Sequence, residues 1–299
     1  MQTRSIHRLS ALLAFSTLLL LVVSGFMVSA STGLPVPGWA EGGQVLHRVL
    51  AGVVALLSIL VLAACWRARR WSWLKRLSVP VVLIVAAQAG IGMSLARKGV
   101  MPSVSVLQAM LTHALLTLAA ILFFVSSRSF AQEVEQVEDE LQPSLRSIAW
   151  WPSVFVVAQI LLGSAYRHGI MGVIPHLSLA FLTAGALAFL AILVAATYPT
   201  HRPLKRVAFT VVWFTLAQIV LGLIALFYRV QAASPDAANA PASWLVLFTV
   251  GHVVLGSFTL AATVWMAIEI RKYVRPEAPL AARDRQQAGP ASTLETELN

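Results

Sequence analysis

Eight stretches of this chain are apolar for long enough to cross a membrane, and no other feature restricts its fold so tightly. They run over about residues 8–29, 44–65, 77–96, 105–126, 148–166, 174–198, 206–228 and 243–268. A bilayer core of about 30 Å takes about 20 such residues as a helix. In lipid the backbone must satisfy its own hydrogen bonds, which leaves helices or closed barrels, and runs of this length select helices. The composition agrees, with 58% hydrophobic residues, 11% charged residues and a mean hydropathy of +0.79. A soluble domain is excluded, and the fold class is all-α, a polytopic membrane protein of eight transmembrane helices. Arg4 and Arg8 ahead of a run ending near Ser29, Ala30 and Ser31 also fit a signal peptide, but the internal repeat described below needs a helix there.

The net charge of +10 would suggest nucleic acid in a soluble protein. Here it reports topology, and no nucleic-acid partner is expected. Of the 22 Lys and Arg residues, Arg48, Arg97, Lys98, Arg167 and Arg229 are the five on one side of the eight-span arrangement, and the other 17 lie on the opposite side. The positive-inside rule puts both termini in the cytoplasm, as expected of a multi-pass protein of the inner, plasma membrane in contact with lipid. Cys65 is the single cysteine, so neither an internal disulfide nor a thiolate metal cluster is available.

Within this frame two signatures recur. His47, His113, His176 and His252 each lie in the first half of an even-numbered span, with Ala51, Thr117, Ala180 and Gly256 one turn later. Gly43, Ala109 and Gly172 precede three of them by one turn, whereas Phe248 precedes His252. Residues four apart share a helix face, so each imidazole projects from a face cleared of bulk, in the outer half of the membrane. The odd-numbered spans carry Gln-x-x-x-Gly at Gln88 and Gly92, Gln159 and Gly163, and Gln218 and Gly222, while the first keeps Gly25 but has Leu21 in place of Gln. Glycine and glutamine here either pack helices together or line the same cavities as the histidines. The unit of one glycine-bearing and one histidine-bearing helix repeats four times. It divides the chain into a half over 1–126, a cytoplasmic linker over 127–147, a half over 148–268 and a cytoplasmic tail over 269–299. Four spans per half give two parallel four-helix repeats. The linker's Glu133, Glu135, Glu138, Asp139 and Glu140 are expected to be solvated, and the tail beyond Pro276 to be disordered. Ser31–Trp39 and the segment around Pro235 and Pro241 are expected to be outer loops, and His7, His168 and His201 to be solvated at segment ends.

Imidazole is a frequent metal ligand and the usual axial ligand of haem iron. The repeat pairs His47 with His113 and His176 with His252, four metal ligands for two haems. Haem propionates need cationic partners, and Arg48, Arg97, Arg167 and Arg229 stand at the outer ends of spans; the alternative for each is to snorkel towards lipid phosphate.

These residues together resemble the haem A synthase family of cytochrome oxidase assembly. The resemblance rests on the eight spans in two halves, His47 with Arg48, His113, His176, His252, the Gln-x-x-x-Gly segments and the loop Ser31–Trp39, and covers roughly residues 8–268. It implies oxidation of a methyl group of haem O, the substrate supplied by haem O synthase, to the formyl group of haem A, for delivery to the cytochrome oxidase assembly machinery. It also implies catalysis at His47 and His113 and a bound haem b at His176 and His252. The family's glutamate three residues before its first histidine is Gln44 here, which offers no carboxylate base. Glu41 could replace it only from a folded-back loop. The cysteine pair that many bacterial members carry is also missing. A non-catalytic haem-binding assembly factor or bis-histidine electron carrier is therefore the alternative. A transporter of parallel repeats is a third reading, weakened by the lack of acidic residues within the spans apart from Glu269 at an end.

Overall fold

The computed structural model describes residues 2–31, 42–68, 72–99, 101–139, 141–233 and 242–276. The chain forms α1 (Gln2–Ser31), α2 (Gly42–Arg67), α3 (Ser72–Lys98), α4 (Pro102–Val125), β1 (Val137–Glu138), α5 (Leu145–Ile148), α6 (Trp151–Arg167), α7 (Ile174–Thr197), α8 (Arg202–Ala232), α9 (Ala242–Tyr273) and β2 (Val274–Arg275). Eight helical segments are long and apolar enough to cross a membrane, with α5 and α6 together making the fifth. The expectations for residues 32–39, Glu41, Glu140, Pro235, Pro241 and the tail from 277 fall outside the described residues.

In the first half α1 packs on α2, α2 on α3, α3 on α4 and α4 on α1, closing a four-helix ring. The second half closes the same way through α6, α7, α8 and α9. Each ring puts its two histidine-bearing helices diagonally opposite, so both can point at one central space. The halves meet through α4 against α9, with α1 against α9 and α4 against α6 on either side. Each half has its own buried apolar cluster, around Leu13, Val61, Leu115 and Leu122 in one and Leu187, Val194, Leu204 and Met266 in the other, and Val264 and Trp265 of α9 pack against both. The remaining large apolar side chains, such as Phe181, Phe189 and Trp213, are exposed on the outside, where lipid would cover them.

The turn into α7 is the one that sets a site. Gly169 has φ +73°, its N–H donates to the Tyr166 carbonyl at 3.1 Å, and the Ile170 N–H donates to the Ala165 carbonyl at 2.9 Å. That paired closure is a Schellman motif, which favours glycine at its left-handed residue. It ends α6 sharply, and Pro175 then starts α7 at a position where no N–H is needed. The short connection fixes the register of α6 against α7.

At the basic end of the bundle the linker is more ordered than its composition suggests. Val137 and Glu138 pair in parallel with Val274 and Arg275, so the all-α chain includes one two-residue ladder. Asp139 is 1% exposed. Its carboxylate accepts the Leu141 N–H at 3.3 Å and the Arg146 N–H at 3.2 Å. Arg146 Nη1 donates to the Val274 carbonyl at 2.7 Å, and Arg275 pairs with Glu138. A buried carboxylate is tolerated when backbone donors satisfy it; this is the reason that Asp139 is not solvated with its acidic neighbours. His7 departs from expectation in the same way, stacked on Phe123 at 4.5 Å with Nδ1 3.0 Å from the Phe123 carbonyl.

His201, outside the spans, caps α8 by accepting the Leu204 N–H at Nδ1 over 3.3 Å. Burial lowers its pKa from the usual 6.5, and only the neutral ring can accept that bond. The folded state thus disfavours protonation. The cap's contribution is complete above pH 6.5 and is lost as pH falls through the lowered folded value. Thermal unfolding at pH 7.5 and 5.0 should show a smaller acid-induced drop for His201→Asn than for the parent chain.

Candidate functional site

The four histidines differ in depth along their helices. His47 and His176 lie within the first two turns of α2 and α7, whereas His113 lies at the middle of α4 and His252 about three turns into α9. In the second half this offset still brings the rings together. The ring centroids of His176 and His252 are 6.2 Å apart, at an interplanar angle of 83°. An imidazole nitrogen binds a metal at about 2 Å, so two rings on opposite sides of one metal stand with centres roughly 6–7 Å apart. The pair is close enough for one iron.

Glycines in the second half make room for these rings. A Cβ added at Gly163 would lie 2.9 Å from His176 Cε1, and one at Gly222 would lie 2.8 Å from His252 Cε1. Each glycine is therefore the floor on which an imidazole rests. The glutamine one turn earlier completes the arrangement. Gln159 Nε2 donates to the His176 carbonyl at 3.0 Å and to its Nδ1 at 3.1 Å. Gln218 Nε2 lies 3.3 Å from His252 Nε2. In both cases Oε1 is buried without a hydrogen-bond partner. A buried amide oxygen with no donor is uncommon and calls for an explanation; two at matched places beside histidines fit a site built for a further group.

The same sequence pattern is used differently in the first half. Gln88 Oε1 lies 3.2 Å from Thr112 Oγ1, beside His113, and Gln88 Nε2 is buried without a partner. A Cβ at Gly92 would only reach ordinary contact with Gln108, 4.0 Å away, and one at Gly25 would press on Val250 of α9 at 3.1 Å. Close approach of an imidazole thus accounts for Gly163 and Gly222, and helix packing for Gly25.

Hydrogen bonds decide which ring nitrogen is unprotonated. Ser24 Oγ donates its one proton to the Leu20 carbonyl at 2.6 Å, so at 3.2 Å from His47 Nδ1 it must accept from that ring. His252 Nδ1 lies 3.0 Å from the Gln218 carbonyl, which can only accept. Both rings therefore carry hydrogen on Nδ1 and leave Nε2 unprotonated, with Nε2 of His252 accepting from the Gln218 amide at 3.3 Å; this is the tautomer of a ligating histidine with its second N–H anchored. His113 is buried and hydrogen-bonds through Nδ1 to Ser257 Oγ on α9. His176 is the exception, because Gln159 donates to its Nδ1 and is held in that sense by the His176 carbonyl. No ring contact joins His47 to His113 among the described residues. No group of three His, Cys, Asp or Glu side chains that could hold a metal ion is found among the described residues either. Two histidines per half suit a metal whose remaining ligands come from a macrocycle.

Gln44 is exposed in the first turn of α2, close to His47 on the same side of the helix. Arg48 and Arg97 are exposed, and Arg229 is exposed with its guanidinium 5.0 Å above the Tyr166 ring. Among the described residues, Arg167 is the one of these four arginines engaged by backbone, its Nη2 donating to the Gly25 carbonyl at 2.7 Å and to Ser29 Oγ at 3.0 Å. It therefore ties the end of α6 to the end of α1, across the two halves. Sequence reasoning missed Ser24, Thr112 and Ser257. Ser24 stands next to Gly25, Thr112 next to His113 and Ser257 next to Gly256, and only adjacency to the recurring positions could have pointed to them.

The family model described as cytochrome oxidase assembly protein matches residues 38–175. That span takes in Gln44, His47, His113, Gln159 and Gly163 and ends one residue before His176. No curated protein matches the chain. Over residues 38–175 the chain is similar to the cytochrome oxidase assembly protein family, the family that its histidine pattern resembled.

Proposed function

We propose that the chain is a haem A synthase-type oxidoreductase of the inner membrane, with both termini cytoplasmic, converting haem O from haem O synthase to haem A for the cytochrome oxidase assembly machinery. The observation that carries this reading is the second-half pair His176 and His252, whose rings stand 6.2 Å apart on glycines that a Cβ would fill. In this reading these two histidines hold haem b, and His47 and His113 hold haem O as substrate. Bound haem b supplies one-electron redox chemistry. Ser24 and the Gln218 carbonyl keep Nε2 of His47 and His252 unprotonated, so neither ligand has to lose a proton. His176 exchanges its tautomer when the Gln159 amide turns its unpartnered Oε1 towards Nδ1–H. Arg48, Arg97 and Arg229 have exposed guanidinium groups suited to propionates, whereas Arg167 has a structural role first.

Taking a methyl group and one water to a formyl group releases four electrons and four protons, which requires an external electron acceptor. A carboxylate near His47 would assist proton removal, and Gln44 offers only an amide. That substitution is the specific observation in favour of the second reading, a non-catalytic haem-binding assembly factor or bis-histidine electron carrier. Extraction and chromatography of the haems bound after co-expression with a source of haem O separate the two. The enzyme reading expects haem A from the chain as it stands, with a higher yield from Gln44→Glu. Haems b and O alone from the parent chain, with haem A only from Gln44→Glu, would leave the assembly-factor reading.

A further inference from the structure

The hydroxyl groups of the transmembrane helices have a common habit here. Thr17, Ser24, Ser29, Thr112, Thr117, Thr210, Thr215 and Thr259 each donate to the carbonyl four residues earlier. This back-bonding is the ordinary way to satisfy a hydroxyl in an apolar helix. Ser257 does otherwise. It is 0% exposed, and its hydrogen bond goes to Nδ1 of His113 in the other half.

The placement of that serine matters as much as its bond. It sits on α9, the helix that carries His252 and that packs against α1 and α4 of the first half. Within two turns of α9, Val250 lies under Gly25, His252 bonds to the Gln218 carbonyl, Gly256 comes within 3.4 Å of Gln218 Nε2 counted from an added Cβ, and Ser257 reaches His113. In the first half His47 finds its Nδ1 partner, Ser24, within its own four helices. His113 takes its partner from the other half.

We propose that Ser257 is a positioning residue for His113: its Oγ accepts the Nδ1–H of His113, fixes the ring with Nε2 towards the first-half haem site, and makes that site complete only when the second half is docked. This rests on the reading of His47 and His113 as haem ligands. An oxygen acceptor on the second ring nitrogen raises the basicity of a ligating imidazole and tunes the metal, so its removal should show in the haem itself and not only in activity.

The experiment is redox titration with low-temperature EPR on the purified full-length chain carrying its haems, comparing the parent with Ser257→Ala, Ser257→Thr and Ser257→Cys, and with His113→Ala to mark which haem belongs to the first half. Ser257→Ala should raise the midpoint potential and change the EPR signal of the haem that His113→Ala removes, leaving the other haem at its parent potential. Ser257→Thr, which keeps an oxygen acceptor, should restore the parent values. Ser257→Cys, close to serine in volume but a weak acceptor, should shift the same haem in the same direction, and it carries the test if the alanine variant does not fold. Parent values for both haems in the alanine or cysteine variant would overturn the proposal, as would equal shifts in both haems or failure of threonine to restore. A parent chain that holds no haem would overturn the functional reading as well, which distinguishes the two failures.

Discussion

Gly222→Ala should weaken haem retention by the second half, while Gly92→Ala leaves haem content unchanged. The two glycines occupy the same place in the same sequence pattern, so composition and helix propensity do not separate them. Their surroundings do. A methyl group at Gly222 would stand 2.8 Å from His252 Cε1 and 3.1 Å from Nδ1, whereas one at Gly92 meets only Gln108 Nε2 at 4.0 Å. The His252 ring cannot yield easily, because Nδ1 is tied to the Gln218 carbonyl at 3.0 Å on the same helix as Gly222. Overpacking of this kind costs about 1–3 kcal/mol. With tenfold in affinity for every 1.4 kcal/mol, about 5- to 150-fold weaker haem retention follows. Gly163→Ala should act likewise through His176, at 2.9 Å from Cε1. Haem content per chain after detergent purification measures the effect. Equal retention by Gly222→Ala and Gly92→Ala would mean that the glycine at 222 serves helix packing alone.

The second large effect is expected at Arg167. Its Nη2 hydrogen bonds to the Gly25 carbonyl and Ser29 Oγ join α6 to α1, and both acceptors lie on a helix of the other half. A hydrogen bond from a charged donor contributes about 1.5–3 kcal/mol, and α1 against α6 is not among the principal helix contacts, so few others replace it. Arg167→Leu should lower the thermal midpoint by several degrees in detergent, and Arg167→Lys should recover part of the loss through a single donor. If Arg167 served a propionate instead, the leucine variant would keep its midpoint in the haem-free chain and lose affinity for haem. The haem-free measurement therefore separates the two roles.

These cases show where sequence is informative and where it stops. The eight apolar runs, the alternation of glycine-bearing and histidine-bearing helices and the excess of basic residues on one side are local or additive properties, and each is readable along the chain. Helix ends are less so: α9 continues to Tyr273 rather than stopping near 268, because its polar last turns lie at the bundle's basic end, where Lys272 covers the Phe130 ring at 4.6 Å. The histidines and Gln-x-x-x-Gly segments announced a site, but the pattern alone could not say that Gly163 and Gly222 touch imidazoles while Gly92 does not. That difference depends on the relative register of neighbouring helices, which the sharp turn at Gly169 sets for α6 and α7. Ser257 with His113, Arg167 with Gly25, and Val137 with Val274 are farther apart still. Each joins residues more than 130 positions apart, and only the docking of the two halves or of the linker brings them together. Asp139 belongs with them, as one carboxylate in an acidic run became buried because two backbone N–H groups turn towards it.

Absorption and low-temperature EPR spectroscopy of the purified chain, with haem stoichiometry, test the central claim most directly. Two low-spin haems with bis-imidazole signals are expected, one lost in His176→Ala or His252→Ala and the other in His47→Ala or His113→Ala. A chain without haem, or one whose haem survives all four substitutions, would contradict the assignment of these histidines as ligands.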